Sequence, residues 1–207
     1  MHPEVSSLFD MTGKVAMVTG GAVNLGFDAA SVLAGAGCDV VITSRDLRRA
    51  EQAAESLRAR FGFEVLPLEM DQTDPAQIQT AVERAWGWKN GLDVLVNNAG
   101  GGSGHGACHL FSRKLEDAER MIRLNLTGVL CCCQHVSRMM AERKSGKIIN
   151  IASTAGFVGR DRRMYVRHDM AGQPIDYAAA KAGVIGMTID LAALLAPMGV
   201  YVNAISP

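Results

Sequence analysis

Short apolar runs alternate along this chain with longer stretches in which apolar residues return every three or four positions. The runs fit strands near residues 14–19, 39–43, 64–69, 92–97, 146–151 and 200–204, because brief runs rich in β-branched residues and bounded by turn formers suit buried strands. Between two of them, Leu47, Ala50, Ala54, Leu57 and Phe61 mark one buried helix face. An alanine-rich stretch ending near Gly37 predicts an earlier helix. Asp74-Pro75 predicts the start of another, a cap followed by proline at the first helical position. The longest helix is expected from about Glu116 to Met140, and a further one from about Tyr177 to Leu195. Strands alternating with helices predict an α/β fold with a doubly wound parallel sheet, in one domain over 1–207. No internal repeat, low-complexity segment or linker interrupts it.

Two short motifs carry chemistry. Lys14 to Thr19, followed at once by Gly20-Gly21-Ala22-Val23-Asn24-Leu25-Gly26, reads as strand, glycine turn and helix. Such a turn brings backbone amides to a pyrophosphate at the positive end of a helix, so the site expects a dinucleotide. Tyr177 and Lys181 stand four apart on a helix and share one face. A free phenol loses its proton only near pH 10, so a neighbouring ammonium that stabilises phenolate makes proton transfer feasible near neutrality.

With these motifs the chain resembles the short-chain dehydrogenase/reductase family, whose signatures are Thr-Gly-x-x-x-Gly-x-Gly and Tyr-x-x-x-Lys. Asn24 replaces the middle glycine, and asparagine tolerates the left-handed backbone that the turn needs. Asn97-Asn98-Ala99-Gly100, Asn125 and Ser153 follow in the family's order. Asn203 to Pro207 looks like the family's Asn-x-x-x-Pro-Gly segment without its glycine, so the resemblance implies a Rossmann domain lacking its C-terminal strand and substrate-covering loop. It also implies hydride transfer between a nicotinamide and a carbonyl or alcohol carbon. Tyr177 would be the acid or base, Lys181 its cationic neighbour and ribose ligand, Ser153 the holder of the substrate oxygen, and Asn125 the residue ordering a relay water. The cofactor would meet Gly20, Asn24, Leu25, Gly26, Ser44, Arg45, Asp71, Gln72, Asn98, Ala99, Gly100, Tyr177 and Lys181.

Cofactor choice turns on the end of the second strand. There Ser44-Arg45 offers a guanidinium where a carboxylate would select NAD, favouring NADP. The competing reading makes Asp46 a ribose ligand for NAD, although Asp46 suits the N-cap of the second helix better. Twenty-one acidic and twenty-one basic residues give no global attraction to nucleic acid or an anionic membrane. No signal-peptide pattern is visible, and no apolar run approaches the roughly 18 residues of a membrane span, so a cytoplasmic protein is expected. Cys38, Cys108, Cys131, Cys132 and Cys133 form no disulfide framework and read as small apolar residues. His105, Cys108 and His109 lack a fourth ligand, so no metal is expected.

Residues 159–170 look like an insertion at the substrate mouth, whose four arginines are suited to a carboxylate or phosphate on the substrate; the competing reading is a solvated loop or a subunit contact. Tyr165 within it is rejected as the catalytic tyrosine, because Asp169 rather than a cation stands four residues later. The opening Leu8 to Val15 and this insertion are similar to branches acting on gluconate or deoxygluconate. The expected substrate is therefore a polar, sugar-acid-like hydroxy or keto compound, with a 3-oxoacyl thioester as runner-up and an inactive dinucleotide-binding remnant as a further alternative. The family resemblance also implies a homodimer or homotetramer.

Overall fold

The computed structural model describes residues 7–89, 91–102 and 108–207. Six strands, β1 (Val15–Val18), β2 (Asp39–Ser44), β3 (Val65–Glu69), β4 (Val94–Asn97), β5 (Gly146–Ile151) and β6 (Val200–Ile205), form one parallel sheet. Their order is β3-β2-β1-β4-β5-β6. The chain therefore changes direction of travel between β1 and β4, and the carboxyl ends of those neighbours frame the crevice where open α/β sheets bind ligands.

Among the described residues seven helices connect the strands: α1 (Asn24–Gly35), α2 (Leu47–Phe61), α3 (Pro75–Gly87), α4 (Leu115–Ile122), α5 (Gly128–Arg143), α6 (Arg162–Arg167) and α7 (Ile175–Leu195). Alternation along each strand divides the core. Ala16, Val18, Val40, Ile42, Val94 and Val96 meet Ala30 and Ala34 of α1 and Ala53, Ala54 and Leu57 of α2. Met17, Val41, Leu68, Leu95 and Ile148 meet Ile78 and Val82 of α3, Cys132, Cys133 and Val136 of α5, and Leu195 of α7. Caps fix where helices begin: Asp46 accepts from the Arg48 and Arg49 amides, and Asp74 from those of Ala76 and Gln77.

Three expectations need correction. The helix expected from Glu116 to Met140 is broken by a π turn over Arg123–Thr127, between α4 and α5. The longest unbroken helix is instead α7, with 21 residues. Residues 159–170 contain α6 rather than only a loop, because the Asp161 carboxylate accepts from the Arg163 amide and starts a helix. Finally, Ile175–Met198 is long and apolar enough to cross a membrane by length and composition. In this fold one face of it packs against β6, α4 and the turn after β5, while Ile189 and Leu194 are exposed.

Candidate active site

The turn after β1 is held by side chains that hydrogen-bond backbone. The Thr19 hydroxyl accepts from the amides of Asn98 (3.0 Å) and Ala99 (2.9 Å). Asn98 Nδ2 donates to the carbonyls of Thr19 (3.0 Å) and Gly20 (3.3 Å), and the Gly20 amide donates to Thr43 Oγ1 (3.2 Å). A Cβ at Gly26 would lie 2.2 Å from the Gly20 carbonyl oxygen and 2.4 Å from Asn98 Nδ2, so only glycine lets α1 begin this close to the turn. Asn24 takes φ +50°, the left-handed conformation expected of it. The first turn of α1 has no side-chain cap and no acidic residue, which leaves its amides free for an anion.

A cleft of about 500 Å³ opens beside this turn. Of the expected residues, Gly20, Asn24, Leu25, Gly26, Ser44, Arg45, Gln72, Asn98, Ala99, Gly100, Ser153, Tyr177 and Lys181 line it. The glycine cradle and the uncapped helix fit a dinucleotide pyrophosphate. Asp71 is not among the lining residues, since its carboxylate accepts from the Thr73 amide and hydroxyl, both at 2.8 Å. Burial pushes the Asp71 pKa up, but the Thr73 hydrogen bonds and the charges of Arg45 and Arg120 outweigh it and hold the pKa below its ordinary value. Asp46 also lines the cleft, with its carboxylate engaged in capping α2 and paired to Arg49 Nε at 3.4 Å. Arg49, a second guanidinium on this wall, escapes sequence reasoning, its one signal being a place in the first turn of the helix that follows Arg45.

The other wall carries the proton-transfer candidates. Lys181 is almost fully buried, and its Nζ donates to the Ile151 carbonyl (2.6 Å) and lies 5.8 Å from the centre of the Tyr177 ring. Burial lowers the Lys181 pKa to about 8. Tyr177 is itself buried in the first turn of α7. The helix start is fixed by a buried ion pair: Arg113 donates to Asp176 at 3.1 and 2.7 Å and to the Asp117 carbonyl at 3.1 Å. Such a forked pair resists rotation, so the residue beside it, Tyr177, is held in direction as well as place.

Ser153 caps the 3-10 turn Thr154–Gly156: its hydroxyl accepts from the Ala155 amide (3.3 Å) and donates to the Pro207 carbonyl (3.5 Å). Asn125 sits in the π turn, fully buried, and does not itself line the cleft. Its Oδ1 accepts from the Gly101 amide (2.9 Å), and its Nδ2 donates to the carbonyls of Gly101 and Met121, both at 3.1 Å. Both amide protons are used and Oδ1 keeps one lone pair. Asn125 thus clamps the loop after β4, where a Cβ on Gly100 would be 2.6 Å from its Oδ1 and 3.8 Å from Lys181 Nζ.

Tyr165 lies in α6 with its ring against Gly172, and is not among the lining residues. Cys132 and Cys133 are buried against Gln72, Asn97 and Asn150, and burial pushes both thiols well up, Cys133 to about 12. All the cysteines are free. Among the described residues no three His, Cys, Asp or Glu side chains come together as a metal site, and His105 lies outside those residues.

Comparison with known proteins agrees with this geometry. The family model for short chain dehydrogenase matches residues 14–207. The chain is 37% identical over 198 residues to a 3-oxoacyl-acyl-carrier-protein reductase of Aquifex aeolicus (strain VF5), covering 95% of this chain and 74% of that protein. It is 34% identical over 212 residues to the cyclohexanol dehydrogenase of Rhodococcus sp. (strain TK6), with the same two coverages of 95% and 74%. A short-chain type dehydrogenase/reductase of Mycobacterium marinum superposes with a TM-score of 0.87 at 31% identity, over 98% of this chain and 77% of that one. Glycine turn, sheet order and the Tyr177–Lys181 wall therefore have one common explanation: the chain belongs to the short-chain dehydrogenase/reductase family of oxidoreductases.

Proposed function

We propose that the chain is a cytoplasmic NADP(H)-dependent oxidoreductase that interconverts a secondary alcohol and a ketone on a polar, sugar-acid-like substrate. The observation that carries this reading is the placement of Tyr177 and Lys181 on the same cleft as the glycine turn. NADP, when bound, supplies or accepts the hydride. Tyr177 gives its phenol proton to the substrate oxygen during reduction and takes it back during oxidation. Lys181, close to the ring and largely stripped of water, stabilises the phenolate left behind and hydrogen-bonds the nicotinamide ribose. Ser153 turns its hydroxyl from the capping role to the substrate oxygen, and Asn125 holds the loop and a relay water with its remaining lone pair. Gly20, Asn24, Leu25 and Gly26 receive the pyrophosphate, and Gln72, Asn98, Ala99 and Gly100 face the nucleoside parts. Arg45, assisted by Arg49, favours the extra phosphate of NADP.

Exposed Leu130 on α5 and Ile189 and Leu194 on α7 fit association into a homodimer or homotetramer. A second reading, reduction of a 3-oxoacyl thioester, is favoured by the name of the Aquifex relative. The test is NADPH consumption with acetoacetate and with a 3-oxoacyl thioester, compared between the unaltered chain and Tyr177→Phe. Loss of the general acid should cost about 10²–10⁴ in turnover while NADPH binding changes little. Full turnover by Tyr177→Phe overturns the assignment.

A further inference from the structure

The segment between β5 and α7 carries Arg160, Arg162, Arg163 and Arg167, which are not equivalent. Arg162 Nη1 donates to the Gln173 carbonyl (2.8 Å), and Arg163 is paired with Asp161 (2.8 Å). Arg160, which like Gln173 is not among the residues lining the cleft, is the one that reaches the Tyr177 ring: its guanidinium carbon lies 5.7 Å from the ring centre. Among the described residues it has no carboxylate partner. A second unmet group stands beside the same ring. The Gln173 side-chain oxygen is buried without a hydrogen-bond partner among the described residues. A Cβ built on Gly102 would lie 2.9 Å from the Gln173 amide carbon and 3.2 Å from Tyr177 Cδ2, so Gly102 leaves the space in which amide and ring meet.

An unneutralised guanidinium near the Tyr177 ring and an orphan acceptor on the amide that shares the Gly102 gap with it suit a ligand that brings an anion and a donor. We propose that Arg160 receives a carboxylate on the substrate, making the natural substrate a small hydroxy or oxo acid whose carboxylate lies within a few bonds of the reacting carbon. The Gln173 oxygen then accepts from a hydroxyl of the same molecule. The spacing decides the reach, since one molecule must place an oxygen on Tyr177 and a carboxylate on a guanidinium less than 6 Å from that ring. This assignment rests on the oxidoreductase reading above and narrows it to acids, against thioesters.

Two measurements test it. Malonate, titrated calorimetrically into the chain saturated with NADPH, should bind, diethyl malonate should not, and Arg160→Gln should weaken malonate by about tenfold or more, the scale of a charged hydrogen bond. In turnover, Arg160→Gln should raise the KM for acetoacetate about tenfold relative to that for ethyl acetoacetate, with Arg160→Lys intermediate. Absent malonate binding, or binding indifferent to Arg160→Gln, overturns the proposal. So does an equal fall in kcat on both probes, which would make Arg160 a support for the phenolate. The calorimetry needs no turnover, so failure of the oxidoreductase reading shows separately, as inert acid and ester alike.

Discussion

The glycine turn after β1 and the segment between β5 and α7 both border the reaction wall, and they are held differently. Around the turn, Thr19, Thr43 and Asn98 spend their polar atoms on backbone groups of neighbouring strands, and Gly26 sits where no side chain fits. In the other segment the polar bonds are mostly local, as in Asp161 with Arg163, and Met164, Val166 and Met170 are exposed. Backbone amides bind what every dinucleotide shares, so their positions are over-determined. In the reading proposed above, side chains on the lightly packed segment select what differs between substrates, and substitution there should leave the scaffold standing.

Changes at the rigid end should therefore be felt throughout the domain. Gly26→Ala forces a methyl against the Gly20 carbonyl. It should lower unfolding stability by about 3 kcal/mol, the upper range for overpacking, and weaken NADPH binding with it; a thermal melt and a fluorescence titration check both. If the variant melts with the unaltered protein and binds NADPH equally, the turn is softer than its geometry indicates.

Lys181 sharpens the contrast because it belongs to the wall yet is anchored like the turn. Burial lowers its pKa to about 8 from the ordinary 10.5. Below pH 8 folded and unfolded chains both hold the proton, and the cost of burying the charge is whole. Between about 8 and 10.5 the unfolded chain binds more protons, so stability rises with pH, by about 3 kcal/mol once the cost has vanished. Lys181→Met should abolish that rise and raise stability at pH 7, as denaturant titrations across the range would show. A rise surviving in Lys181→Met would assign it to another group.

The smallest effect is expected at an exposed edge of the cleft. Arg45→Ala should reduce NADPH affinity by about 1.5 kcal/mol, the lower end for a charged hydrogen bond at a solvated site, and leave NADH nearly unchanged. Equal dissociation constants for both cofactors in the unaltered protein would remove the basis for the NADP preference.

The central strands are legible in the sequence because strands buried on both faces are mostly apolar, as Val15–Val18 and residues 94–96 show, whereas β6 alternates buried and exposed positions at its start. The caps at Asp46 and Asp74 are legible because they act over two or three residues. The π turn is not, since Arg123-Leu124-Asn125-Leu126-Thr127 has ordinary helical spacing and its wider turn is fixed by Asn125 reaching across to Gly101. Arg49 was hidden for a similar reason, as a charged residue on a solvated helix start, and the sequence marks the arginines of 159–170 together while only the fold brings Arg160 among them over Tyr177. Asp71 fails as a lining residue because Thr73, two positions on, captures its carboxylate.

The π turn makes the site answer to the count of residues as well as their identity. One residue deleted between Leu115 and Arg143 would let the wide turn close into regular helix, and each residue of an α-helix is about 100° of rotation. Asn125 would then swing off the Gly101 backbone while every other side chain kept its chemical character. Drift among descendants of this sequence can exchange most of the outward residues of this helix, whereas a one-codon gap there would displace Asn125 without changing the identity of any side chain in the site.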